Sequence, residues 1–159
     1  MRQRKVYTPD EALQYVAGLC ARSEQCEFDL RRKLSDRGIK NADADKIIDY
    51  LIDRNFLDET RYAKAFCRDK ARFSRWGKIK IRAHLFARKV GREAIAEGLD
   101  AIDAEDYLEG LQRLVNQQAA SLDPCDREDR LKLMRRLASR GFETSLIADA
   151  IQRHIASEE

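Results

Sequence analysis

Between Arg61 and Arg92 the sequence places twelve Lys and Arg against a single acid, Asp69, in a chain whose formal net charge is only +3. Such a run suits the binding of a polyanion, since each cation that meets a phosphate releases a condensed counterion. Its arrangement supports that chemistry. At about 100° per residue, Arg61, Lys64, Arg68, Arg72 and Arg75 fall within an arc of about 80° on a helix that Asp58 would cap and that would run to about Ser74. The stripe is ~21 Å long, enough to follow several backbone phosphates. Tyr62, Phe66 and Phe73 lie roughly 140° away, where a packed helix keeps its apolar anchors. Lys78, Lys80, Arg82, Arg88 and Lys89 continue the basic stretch, and Trp76 could anchor an interface or stack on a base unless it is a core or hinge residue beside Gly77. Two outer clusters, Arg31 with Arg32 and Arg135 with Arg136, offer secondary contacts. The competing reading of all these charges is a solvated surface balanced by acids on adjacent helices.

Covalent chemistry finds no comparable pattern. His84 and His154 are the only histidines, and neither stands beside a nucleophile or at metal-ligand spacing. Phosphate-cradling and nucleophile-elbow glycine motifs are absent. The acid pairs Asp43/Asp45 and Asp103/Asp106 fall at expected helix starts, where carboxylates favour the helix dipole. Cys20, Cys26, Cys67 and Cys125 form no C-x-x-C pair and have no nearby His, so they are expected as reduced, mostly core thiols. No catalytic residue, metal or cofactor is expected. The basic start Met1-Arg-Gln-Arg-Lys-Val leads into Tyr-Thr-Pro-Asp-Glu, not into an apolar run, and no segment approaches about 18 uncharged apolar residues. A cytoplasmic protein without a membrane span or export signal is expected.

The elements that position these residues are helices. With 43% hydrophobic and 37% charged residues, but seven Gly and two Pro, the chain can bury a core yet has little material for the turns of an all-β fold. Thr8-Pro9-Asp10-Glu11 reads as a capping box with Pro at the first helical position, followed by Leu13, Val16 and Cys20 at helical spacing. Ser23 is the next cap candidate, with Phe28, Leu30 and Leu34 leading to Arg37-Gly38, a left-handed helix end. A third run, Ala44, Ile47, Ile48, Leu51 and Ile52, stops near Asn55.

This unit recurs. Leu30, Leu34, Ile39, Ala44 and Ile48 align with Ile81, Leu85, Val90, Ile95 and Leu99, and again with Leu133, Leu137, Phe142, Ile147 and Ile151. Gly38 and Gly141 coincide, while the central copy has Lys89 there. The expectation is an all-α protein of three tandem three-helix repeats, residues 1–57 after a short basic tail, 58–103 and 104–159. They would stack as an elongated, curved, monomeric module. The third repeat diverges: its first helix, Tyr107 to about Ser121, carries one basic residue, Arg113, and Asp123-Pro124 offers the next cap.

Phe56-Leu57-Asp58-Glu59-x-Arg61-Tyr62-Ala63, followed by Arg75-x-Gly77-x-x-x-Ile81-x-x-x-Leu85, resembles the central signature of the bacterial RecX regulatory family. Ala12-Leu13-x-Tyr15 and Ser23-Glu24-x-x-x-x-x-Leu30-x-x-x-Leu34 resemble its first repeat, so that the likeness spans about residues 8 to 155. Lys89-Val90, where the family more often has Gly and an apolar residue, departs from it. The resemblance implies a cytoplasmic modulator of the RecA recombinase, usually an inhibitor, lying in the groove of the RecA–DNA filament and meeting single-stranded DNA directly or through RecA. Two other classes fit the residues alone: a helix-turn-helix transcription regulator reading duplex half-sites, and an adaptor without affinity for DNA.

Overall fold

A computed structural model describes residues 3–159, and among these the chain forms nine α-helices and no strand. Met1 and Arg2 of the basic tail lie outside the described residues. The helices fall into three groups of three: α1 Pro9–Arg22, α2 Glu27–Asp36 and α3 Asn41–Asp53; α4 Glu59–Arg72, α5 Lys78–Ala87 and α6 Arg92–Asp100; α7 Ala104–Gln118, α8 Arg127–Ser139 and α9 Thr144–Glu158. The architecture is all-α, with tandem three-helix repeats.

Four of the nine helix starts among the described residues carry a side-chain cap. Thr8 Oγ1 accepts from the Glu11 N–H at 3.2 Å while Glu11 accepts from the Thr8 N–H at 3.3 Å, satisfying two otherwise orphaned donors. Asp58 and Asp103 cap α4 and α7 in the same sense. Ser23 and Asp123 do not cap as expected. Ser23 closes α1, its N–H bonding Leu19 O, and α2 starts behind Cys26 with no side-chain cap. Asp123 instead accepts from the Cys125 N–H at 2.9 Å, making a local turn, and Asp126 caps α8 by accepting from the Glu128 and Asp129 N–H groups at 3.0 Å. α7 likewise stops at Gln118, short of Ser121.

The middle helix of every repeat ends the same way. Gly38, Lys89 and Gly141 all take positive φ (77°, 57° and 94°), and the next residue returns its N–H to a carbonyl five residues back: Ile39 to Leu34, Val90 to Leu85, Phe142 to Leu137. This is the helix stop that glycine normally provides, and repeat 2 makes it with a lysine held in a conformation that L side chains disfavour.

Leu34, Leu85 and Leu137, aligned by the sequence repeat, are fully buried, as are Leu30, Ile81 and Leu133. The interior nevertheless divides in two. Residues of α1–α3 build one core around Val16, Leu30, Leu34, Ile48 and Leu51. Residues of α4–α9 share a second, continuous core from Tyr62 to Ile151, which Cys26 joins from the first repeat. The joints differ accordingly. Repeats 2 and 3 meet backbone to backbone: the Gly77 N–H donates to Arg140 O at 2.8 Å and the Ile79 N–H to Gly141 O at 3.0 Å, with α4 packed on α7. Repeats 1 and 2 meet through charge: Arg61 with Glu24 at 3.0 Å, and Arg88 with Asp29 at 3.2 Å. Burial works against the Asp29 carboxylate, but hydrogen bonds from Cys26 and Arg88 and the charges of Arg88 and Arg32 outweigh it and hold its pKa below the ordinary value. The result is less compact than a single globule, exposing 10501 Å² where a globular chain of 18.4 kDa would expose roughly 8,200 Å².

Candidate nucleic-acid interface

α4 is anchored at its N-terminus, where Asp58 accepts from the Arg61 N–H at 2.8 Å and Glu59 accepts from the Gly91 N–H at 2.9 Å. Tyr62, Ala63 and Cys67 face the core, and burial pushes the Cys67 thiol up to about 11, so it is protonated at neutral pH. Phe66 is half-buried beside them. Phe73 corrects the sequence expectation, being 76% exposed rather than a packing anchor. The reason is that α4 ends at Arg72, one residue before it, and the chain then turns through Arg75 at φ 52°.

That early stop also divides the expected stripe. Arg61 is a joint residue, bound to Glu24 and donating to Asn55 O at 2.9 Å. Lys64 lies 3.7 Å from Glu97. Arg75 has left the helix and is half-buried, its guanidinium so close to α7 that a Cβ on Gly110 would stand 2.4 Å from Nη1. Arg68 and Arg72 remain exposed; Arg68 donates to Ala101 O at 3.5 Å, and neither has a carboxylate within 4.0 Å among the described residues. Together with Arg75 they line a shallow hollow of about 190 Å³, whose other wall includes Asp103, the cap of α7, and Asp106 in its first turn. The scarcity of acids is therefore a property of the local sequence, and folding brings Glu24, Glu97, Asp103 and Asp106 alongside from other elements.

A second basic group forms on the other side of α4. The Trp76 N–H donates to Lys70 O at 3.0 Å, and this turn folds the half-buried indole onto Phe66 and His84, with ring centroids 6.3 and 5.3 Å away. Phe66 and His84 stack at 5.3 Å. Two ammonium groups stand against the indole, Lys70 Nζ at 4.6 Å and Lys80 Nζ at 4.4 Å from its centroid. Burial, then the charges of Arg88 and Lys70, hold the His84 imidazole below its ordinary pKa, so the ring is neutral at pH 7. Lys70 was not a sequence candidate because it lies about 180° from Arg61 on α4. Its signal was proximity to Trp76 through a turn, which helical periodicity does not register.

The remaining candidates separate by their partners. Lys78 belongs to the joint between repeats 2 and 3: its N–H donates to Tyr107 Oη at 3.0 Å, and the Tyr107 hydroxyl donates to Glu143 at 2.9 Å. Arg88 is tied to Asp29. Arg82 and Lys89 are exposed, with Lys89 Nζ 6.0 Å from the Phe28 ring. Of the outer clusters, Arg31 is held by Glu27 and Asp45 and Arg32 lies 3.5 Å from Asp29, whereas Arg135 and Arg136 are exposed on α8. No helix among the described residues is long and apolar enough to cross a membrane.

Comparison with known proteins places these features in a family. Residues 58–99 match the description "RecX, second three-helix domain", and residues 105–151 match "RecX, third three-helix domain". The chain is 36% identical over 149 residues to the regulatory protein RecX of Xanthomonas axonopodis pv. citri (strain 306), covering 94% of this chain and 89% of the relative. It is 32% identical over 152 residues to that of Stenotrophomonas maltophilia (strain R551-3), covering 96% and 88%. The fold matches a crystal structure of regulatory protein RecX with a TM-score of 0.79 at 20% identity, over 89% of this chain and 72% of that one. RecX from Lactobacillus salivarius superposes with a TM-score of 0.78 at 18% identity, over 91% and 95%. With this likeness extending over nearly the whole of the chain and including the helices that carry its basic surface, the protein belongs to the RecX family of regulatory proteins.

Proposed function

We propose that this chain is a cytoplasmic regulator of homologous recombination and DNA repair that binds the RecA–DNA filament as a monomer and inhibits the recombinase and its ATP turnover. It acts through contact alone, with no catalytic residue. The observation that carries the reading is that repeat 2 presents several cations with no carboxylate within 4.0 Å among the described residues, among them Arg68 and Arg72 on one side of α4 and Lys70 and Lys80 around Trp76 on the other. Free guanidinium groups suit bidentate contact with phosphate. An elongated array of three units, 1–57, 58–103 and 104–159, suits an elongated partner, and seating across neighbouring protomers would block their exchange and slow hydrolysis.

Co-sedimentation with RecA filaments on single-stranded DNA, set against the same DNA without RecA at equal salt, tests the proposal. Retention by the filament together with reduced ATP turnover is the expected result. A chain that neither sediments with the filament nor alters turnover refutes it, and preferential binding to a particular duplex sequence would point to a transcription regulator instead.

A further inference from the structure

The middle helix of repeat 2 presents a face that phosphate binding does not explain. On α5, Ile81 and Leu85 point into the core and are fully buried. Ile79, Ala83 and Phe86, spaced i, i+4 and i+7, run down the solvent side, Ile79 50% exposed and Phe86 76% exposed, with exposed Arg82 beside them. An aliphatic and aromatic ridge at this spacing is the form in which a helix enters an apolar groove on another protein. A sugar–phosphate backbone offers no apolar counterpart for it, so leaving Phe86 and Ile79 in water is costly unless a protein covers them.

Charge states what that protein must carry. From Lys70 to Arg92 there is no acidic residue, and Lys80, Arg82 and Lys89 border the ridge without an ion pair among the described residues. The next turn fixes Lys89 to the ridge, its N–H bonding Phe86 O at 3.0 Å. Arg88, by contrast, is paired with Asp29. We infer that the α5 face, Ile79–Arg82–Ala83–Phe86 with Lys80 and Lys89 at its rim, docks on an acidic protein surface bearing an apolar groove. Within the functional reading above, on which this inference rests, it is the side turned toward the protein of the filament, while Arg68 and Arg72 on α4 are the side turned toward nucleic acid.

The test uses the full-length chain with Ile79→Ser and Phe86→Ser, and separately Arg82→Glu, all at exposed positions. Circular dichroism and the melting temperature establish that each variant is folded. The expected outcome for the serine pair is a loss of affinity for RecA filaments on single-stranded DNA of roughly tenfold or more, as for removal of an interface anchor, with binding to naked single-stranded DNA changed by less than about twofold. Arg82→Glu weakens filament binding in the same direction. Equal losses on filament and naked DNA would mean that the ridge meets nucleic acid, and conversion of a wild-type dimer to a monomer would mean that it meets a second copy; either overturns the inference. If wild type binds the filament and the serine pair binds equally well, the inference alone fails. If wild type does not bind the filament, the functional reading fails and takes the inference with it.

Discussion

Gly77 and Gly141 lie backbone against backbone at the joint of repeats 2 and 3, and a Cβ on Gly77 would stand 2.1 Å from the carbonyl carbon of Gly141. What it meets is main chain, which cannot swing aside as a flexible side chain does. Gly77→Ala therefore has to separate the two repeats and stretch the bonds Gly77 N–H to Arg140 O and Ile79 N–H to Gly141 O. A loss of about 3 kcal/mol or more in urea titration is expected, the upper range for overpacking. A loss below about 1 kcal/mol would mean that the joint yields freely.

Lys89→Gly should stabilise the chain. At φ 57° the lysine occupies the left-handed region that Gly38 and Gly141 fill in the other repeats, at a cost of about 1 kcal/mol or somewhat more for an L residue. Relief of that cost exceeds the greater freedom that glycine gives the unfolded chain, and a net gain of roughly 0.5–1 kcal/mol is the expected change in the denaturation midpoint.

Reversal of Arg68 and Arg72 to Glu should weaken binding to nucleic acid while leaving helical content and stability nearly unchanged, because exposed charges contribute little to the fold. Wild-type binding to single strands should fall with salt at a log–log slope of about −0.7 per phosphate neutralised, and the double reversal should flatten that slope. Arg61→Glu serves as the contrast: it places two acids face to face at Glu24 and should loosen the first repeat.

His84 supplies a pH dependence whose sign follows from its lowered pKa. Below its ordinary value of 6.5 the unfolded chain binds the proton that the folded chain resists. Its contribution to stability is thus complete above about pH 6.5 and is lost as pH falls toward the lower folded value. Urea midpoints measured across pH 7.5 to 5.5 should decline in wild type and decline less in His84→Gln. An equal decline in both would mean that the ring is not held neutral by Phe66, Trp76 and their cations.

Much of the fold was legible because it rests on short-range rules. The repeat register that aligned Leu34, Leu85 and Leu137 put three fully buried side chains at equivalent places, and Thr8, Asp58 and Asp103 cap as their chemistry dictates. Helical periodicity then misled at the candidate site, because it assumes that the helix continues. Ending α4 at Arg72 exposed Phe73 and turned Arg75 against Gly110, and the angular projection had no means of registering either. Ion pairing was equally hidden: Arg61 and Arg88 look like members of a basic surface until folding brings Glu24 and Asp29 to them across the boundary between repeats.

The division of the interior has a calorimetric consequence. The segment 9–57 encloses one oily centre and the segment 59–155 another, and beside Cys26, which reaches into the second, the pairs 24–61 and 29–88 fasten them. Bonds between partly exposed charges fade as ionic strength rises, whereas burial of hydrocarbon does not. Heating in dilute buffer should then give a single broad heat-absorption peak, and added sodium chloride should resolve it into two, the smaller belonging to the N-terminal third. The same salt that tests phosphate contacts would also be freeing a wrist, so a steep salt slope measured on the intact chain combines detachment from nucleic acid with loss of the angle between its arms.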